Sequence, residues 1–248
     1  MKKALALLAA TLIAGTATLH AQDATSSEGV RFGLKLSPNM GIVKPETKGI
    51  EGNGTGLGYT FGLMTEFPIG TNGNYRFATG LNLNNLTGKW KEEFKYVASA
   101  DAASAILTKE LETDVKLQYV ELPLTIKLMT NEIGYLRYFA VVGAGNAFNI
   151  RAKSDQVVAK VDGTRADGQP IVTTFTDESD VDVQSNIALY KASLIVGAGA
   201  EYNFSGSTSL LLGLTYNNGF TNILDYKVGD EKAKAKAHYF ELTLGVFF

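Results

Sequence analysis

The chain closes on Phe240-Glu241-Leu242-Thr243-Leu244-Gly245-Val246-Phe247-Phe248. Side chains of a strand point alternately to its two faces, so Phe240, Leu242, Leu244, Val246 and Phe248 share an apolar face, while Glu241, Thr243 and Gly245 share the other. A terminal strand of this kind, stopping at a phenylalanine, is expected in a transmembrane β-barrel. Phe248 then serves as the membrane-insertion signal read by the barrel-assembly machinery.

The opposite end points to export. Met1-Lys2-Lys3 is basic, residues 4–14 are apolar, and Leu19-His20-Ala21 before Gln22 has the small residues of a cleavage site. The apolar run, about eleven residues, is too short for a spanning helix, which needs roughly 20. Residues 1–21 are therefore expected to be a secretory signal peptide and residues 22–248 one outer-membrane β-barrel domain. The chain has no cysteine, which excludes disulfides and attachment of lipid through a thiol. Loss of Lys2 and Lys3 takes the formal charge from −2 to about −4, which argues against a nucleic-acid partner.

Eight alternating segments follow, at about residues 30–43, 56–69, 75–87, 115–129, 136–151, 186–204, 208–223 and 235–248. Short turns at 70–74, 130–135 and 205–207 alternate with long connections at 44–55, 88–114, 152–185 and 222–234. That rhythm belongs to outer-membrane barrels with tight periplasmic turns and extended external loops. The expected fold is all-β: an eight-stranded antiparallel up-and-down transmembrane β-barrel with short periplasmic turns and long external loops.

Glycine decides which face is inside. Gly33, Gly62, Gly80, Gly143, Gly145, Gly197, Gly199, Gly213 and Gly245 all fall on the polar face of their segments. Glycine weakens a strand exposed to water but suits the crowded interior of a narrow barrel. The uncharged face, with Leu34, Phe61, Leu81, Leu122, Leu124, Val142, Leu194 and Leu212, then meets lipid, where a lysine or arginine at the midplane would cost roughly 2–4 kcal/mol. The lumen receives Arg31, Lys35, Glu66, Arg76, Glu121, Lys127, Arg137, Lys191, Glu201 and Glu241. An eight-stranded barrel is just filled by its own side chains. Lys35, Glu66, Arg76, Glu121, Lys127, Lys191, Glu201 and Glu241 are accordingly expected to be structural lumen charges that pair and plug the barrel, in preference to an ion or proton path.

Tyr119-Val120-Glu121-Leu122-Pro123-Leu124-Thr125-Ile126-Lys127 resembles the Tyr-aliphatic-Glu-aliphatic-Pro-Leu strand, with its lysine following, of the PorT-like outer-membrane β-barrel proteins common in Bacteroidetes. Phe32-Gly33-Leu34-Lys35, Gly80-Leu81-Asn82 and Gly143-Ala144-Gly145 are similar to that family's habit as well. The resemblance spans most of the chain beyond residue 21 and implies the barrel. Through one member it also implies a role in protein secretion. Within the motif, Pro123 lacks a ladder donor and is expected to mark a bend.

No catalytic, cofactor-binding or metal site is expected. His238 is the one histidine beyond residue 21, and there is no nucleophile elbow or His-Glu-x-x-His pattern. In the long connections, Val97, Ala100, Ala103, Ile106, Leu107 and Leu111 have helical spacing, so an amphipathic helix is expected at 96–111. Residues 157–161 and 171–175 flank Asp162-Gly163 and Asp167-Gly168, which suggests a raised hairpin. Asp177, Glu178, Asp180 and Asp182 lack the spacing of a calcium loop and are expected to be solvated. The functional expectation is a non-enzymatic outer-membrane protein surrounded by lipid, binding a protein or glycan through its external loops or supporting envelope integrity. A small solute channel and a secreted, soluble lipocalin-like barrel are the alternatives.

Overall fold

The computed structural model describes residues 29–71, 73–97, 106–164, 170–228 and 231–248; the expected signal peptide lies outside them. The strands are β1 (Arg31–Pro45), β2 (Ile50–Gly52), β3 (Thr55–Pro68), β4 (Tyr75–Val97), β5 (Ile106–Met129), β6 (Leu136–Thr164), β7 (Pro170–Asp182), β8 (Tyr190–Ser205), β9 (Thr208–Gly219), β10 (Lys227–Val228), β11 (Glu231–Lys232) and β12 (Ala235–Phe247). Eight of them, β1, β3, β4, β5, β6, β8, β9 and β12, form a ring in which each is antiparallel to the next. The last closes on the first through a ladder from Gly33↔Phe247 to Pro45↔Ala235. Closure leaves the ring without an edge, so its backbone polar groups can be satisfied in lipid.

Two connections depart from expectation. β4 and β5 do not stop at the membrane, and Trp90↔Thr113 through Tyr96↔Leu107 to Val97↔Ile106 form a tall hairpin where a helix was anticipated. The apolar spacing at 96–111 belongs to two different strands, whose donors and acceptors are met across the ladder, and residues 98–105 lie outside the described part. Opposite charges support the hairpin, with Lys89 on Asp114 at 2.6 Å and Lys91 on Glu110 at 2.7 Å. The other hairpin is present: Val157↔Asp177 to Val161↔Val172 joins β6 to β7. Strand β6 runs on through Asp162-Gly163, so no turn lies there, and Asp167-Gly168 is outside the described residues. A short 3-10 turn, Gln184–Asn186, precedes β8, which begins at Tyr190 and not near 186.

The bend expected at Pro123 is elsewhere. The β5–β6 ladder passes through Pro123↔Gly145 unshifted, and the register shift lies at Gln118/Tyr119. What the missing N–H does is interrupt the β4–β5 ladder between Asn82↔Glu121 and Thr79↔Leu124.

Orientation separates the two face sets. Leu122, Leu124 and Leu212 are 42%, 40% and 54% exposed, whereas Glu121 and Lys127 are each 2% exposed. A lipocalin-like barrel is built the other way round, which removes the soluble alternative. From Phe32 to Met40 the outward side of β1 covers about nine residues, the length of a tilted spanning strand. Aromatic pairs mark both borders of this belt. Phe67–Phe77 (6.4 Å) and Tyr135–Tyr202 (6.0 Å) lie at the short-turn end, and Phe148–Tyr190 (5.5 Å) and Tyr216–Phe240 (4.7 Å) toward the long loops.

Candidate functional site

The interior is organised in tiers. At the short-turn end, Arg31 opens β1 and Glu66 is its direct partner near the end of β3. Glu66 accepts from Arg31 Nη2 at 2.5 Å and from Lys127 Nζ at 2.6 Å. Glu201 accepts from Arg31 Nη1 at 2.8 Å and also from Lys127. Arg76 is wholly buried opposite Lys127, with its Nε 3.9 Å from Glu66 and its Nη1 donating to the Gly29 carbonyl at 3.0 Å. Three cations therefore share two carboxylates. Aromatic faces take up part of the imbalance, with Lys127 4.4 Å from the Phe139 ring centroid and Arg31 4.4 Å from that of Phe247.

Glycine makes this tier possible. A Cβ on Gly199 would stand 2.6 Å from Phe139 Cζ, and one on Gly33 would stand 2.8 Å from Phe247 Cδ1. The carbonyls of Leu212 and Val246 on the neighbouring strands are nearer still, so backbone and ring together fill the space those side chains would need.

Above this tier is a cavity of about 110 Å³, bounded by Glu66 and Lys127 below and by Lys35, Glu121 and Glu241 above. Lys35 donates to Glu241 at 2.6 Å, and Glu241 also accepts from the Thr243 hydroxyl at 3.1 Å. The Tyr239 hydroxyl donates to Glu121 at 2.8 Å. Lys191 is 1% exposed and lies 4.8 Å from the Tyr239 ring centroid and 5.3 Å from that of Tyr119, with no hydrogen bond from its ammonium among the described residues. Arg137 differs from the other charges in the inward list. It turns to the rim and meets Glu132 at 3.4 Å, because the turn brings that carboxylate beside it.

The long-loop end is closed by hydrocarbon. Val43, Leu86, Val115 and Leu117 from the strands pack with Ile187, Ile223, Leu224 and Ala233 from the connections, all in one buried cluster. Asn222 holds the last connection in place: it donates to the carbonyls of Leu224 (2.9 Å) and Ala233 (2.8 Å) and accepts from the N–H groups of Leu224 (3.2 Å) and Ala235 (2.8 Å). The face reading by itself did not identify this plug. Its signal is that inward positions turn apolar toward the external end, as in Asn84 then Leu86, and Tyr119 then Leu117 and Val115.

Outside the membrane, the two hairpins meet. Val97 bridges to Ile171, the Tyr96 and Phe175 rings make an edge contact at 5.1 Å and 80°, and Lys109 lies 3.9 Å from the Phe175 ring centroid. Asp180 pairs with Lys153 at 3.3 Å, and its N–H donates to Asp155 at 2.8 Å. Among the described residues no group of acidic or histidine side chains has the arrangement of a metal site. His238 is stacked on Tyr216 at 6.4 Å and 13°, and its Nδ1 makes no hydrogen bond among the described residues. Phe248 ends the chain exposed, with its N–H bonded to the Phe32 carbonyl at 2.9 Å.

Residues 20–225 match the family model described as outer membrane protein beta-barrel domain. No curated protein matches the chain in sequence. Similar solved structures include Neisserial surface protein A, at 16% identity and a TM-score of 0.42 over 89% of this chain and 98% of that one. Ail of Yersinia pestis, solved with the heparin analogue sucrose octasulfate, is 15% identical with a TM-score of 0.36 over 89% and 99%. OprG of Pseudomonas aeruginosa is 11% identical with a TM-score of 0.41 over 88% and 94%.

Proposed function

The chain belongs to the outer membrane β-barrel domain family and is an outer-membrane protein, and from that premise we propose that it is a non-enzymatic, closed barrel whose external hairpins bind a protein or glycan at the cell surface. The observation that carries this reading is the contact between hairpins β4–β5 and β6–β7 through Val97↔Ile171 and Tyr96–Phe175. Hairpins tied to one another make a stiff surface, and a stiff surface loses less entropy on binding than separate loops do. Loops carried on a rigid scaffold are also the usual binding surfaces.

The lumen supports the non-channel part. Eight strands leave no water path of the porin kind, and the charge tier and the apolar plug stand in series across what remains.

Photo-cross-linking in intact cells tests the partner reading. A photoreactive group at Lys95 or Glu112, both exposed on the β4–β5 hairpin, is expected to give discrete adducts absent when the same group replaces Leu212 in the belt. Identical patterns at both places would remove it. Steady single-channel currents in planar bilayers would instead establish the solute channel. The PorT-like strand motif makes a secretion component one special case of the partner, and a deletion strain would then retain exported cargo in the periplasm.

A further inference from the structure

The approach to the closing strand reads Lys232-Ala233-Lys234-Ala235-Lys236-Ala237-His238, an alternation that the lumen uses on one side only. Ala233, Ala235 and Ala237 are buried in the mouth. Period two therefore sets Lys234 and Lys236 on the outer side, in line with Phe240, Leu242, Leu244 and Val246 in the belt.

Strand β1 brings a third cation to the same spot, because Lys44 is the direct cross-strand partner of Lys236. Like charges set opposite one another on a sheet destabilise it. One acid answers them: Glu46 accepts from Lys236 at 2.7 Å. The backbone keeps Lys234 beside this pair, since the Glu46 N–H donates to the Lys234 carbonyl at 2.7 Å and the Lys234 N–H donates to Thr47 Oγ1 at 2.8 Å. The hydrogen bond from Lys236, together with the charges of Lys236 and Lys234, holds the Glu46 carboxyl below its usual range, so both lysines act at one point. Lys232 is taken by Asp225 at 3.0 Å, while Lys44 and Lys234 make no ion pair among the described residues.

The opposite wall differs. There Lys89, Lys116 and Lys153 each have their own carboxylate, on Asp114, Asp155 and Asp180. Arg151 is the cation on that wall with no ion pair among the described residues, whereas at β1 and β12 two unpaired lysines, Lys44 and Lys234, gather around a third. Lys236, with Lys44 beside it, stands roughly 13 Å beyond Phe240 along the strand, at about 3.3 Å per residue over four residues, which is about 9 Å along the membrane normal for a strand tilted by about 45°, in the headgroup region bordering the belt.

We infer that Lys44, Lys234 and Lys236 form a seat for the phosphorylated headgroup of an outer-leaflet lipid, whose acyl chains lie along Met40 and Phe240. Phosphate oxygens would relieve the opposed lysines by charge-assisted hydrogen bonds. The inference rests on the membrane assignment and is independent of the hairpin-binding reading.

The test uses the full-length folded protein in detergent with diphosphorylated lipid A as probe and native mass spectrometry to count retained lipid. Lys44→Gln, Lys234→Gln and Lys236→Gln together are expected to lower the affinity roughly a hundredfold, the size set by removing three cations near an anionic surface. Lys116→Gln with Lys153→Gln on the opposite wall should leave it unchanged. An unshifted heat-modifiable gel band shows that each variant still folds as a barrel. Equal retention by the triple variant, an equal loss in the opposite-wall control, or displacement of the lipid by inorganic phosphate alone would overturn the seat, the last in favour of a soluble anion.

Discussion

The two ends of the lumen are closed by different physics. At the short-turn end, Arg31, Arg76 and Lys127 are held by Glu66 and Glu201, all on barrel strands. At the long-loop end, the closing residues are Ile223, Leu224 and Ala233 of a connection folded into the mouth, packed on Val43, Leu86 and Leu117. A buried ion network tolerates no missing partner, because an unpaired charge keeps its full desolvation cost. An apolar plug loses contact area in proportion to what is removed. One end should therefore respond sharply to a single substitution and the other gradually.

Glu201→Ala, which leaves Arg31 and Lys127 short of an anion, should have the largest effect, a loss of about 3–5 kcal/mol in reversible urea unfolding in lipid vesicles. Combining Glu201→Leu with Lys127→Met should restore much of it, and a pair no better than Glu201→Ala would show that the charges are not the source. At the other end, Ile223→Ala is expected to cost about 2–4 kcal/mol by cavity formation in the same assay. A loss larger than that of Glu201→Ala would reverse the ranking of the two ends. Gly199→Ala tests the close packing beneath the ion tier, where the added methyl meets the Leu212 carbonyl and the Gly213 Cα as well as Phe139; overpacking predicts a loss of about 1–3 kcal/mol, and an unshifted unfolding midpoint would mean that the neighbouring strand and the ring both give way.

The smallest effect belongs to the exposed pairs of the hairpins. The hydrogen bond from Lys116, helped by the Asp180 N–H, holds the Asp155 carboxyl below its usual range. A depressed carboxyl contributes stability that is present above its unfolded-state value and lost as pH falls through the lowered folded value. The unfolding midpoint of Lys116→Ala should therefore lie slightly below that of the parent chain by an even margin from neutrality down to about pH 5, above the ordinary aspartate range, and the margin should close as pH falls further. A large margin at neutrality would show that these pairs matter more than solvent screening allows, and one that widens in acid would show that the Asp155 carboxylate is not its source.

Much of this architecture was legible in the residues. Leu122 and Glu121 differ by one position, and period two alone sends one to lipid and the other inward. The hairpin at 157–175 was legible for the same reason. The stretch at 96–111 was not, because short apolar runs fit a 3.6 period and a 2 period alike, and what decides between them is the opposite strand. Within the site, the inward charges could be named from the pattern, but their partners could not. Glu201 has Arg137 as its ladder neighbour, yet its ion pairs are with Arg31 and Lys127, while Arg137 turns to Glu132.

What the sequence by itself determined is the strand period, the face of each residue, the alternation of short and long connections, and an outward surface free of charge. These follow from local geometry, since a side chain's face depends only on its place in its own strand. Only the tertiary structure decided who meets whom across the lumen and what fills the mouth. Arg31 reaches Glu201 across 170 positions of chain, and Ile223 joins the cluster of Val43 from a loop. Such contacts exist only once the ring has closed with a definite stagger and diameter, quantities that belong to all eight strands together and to none of them alone.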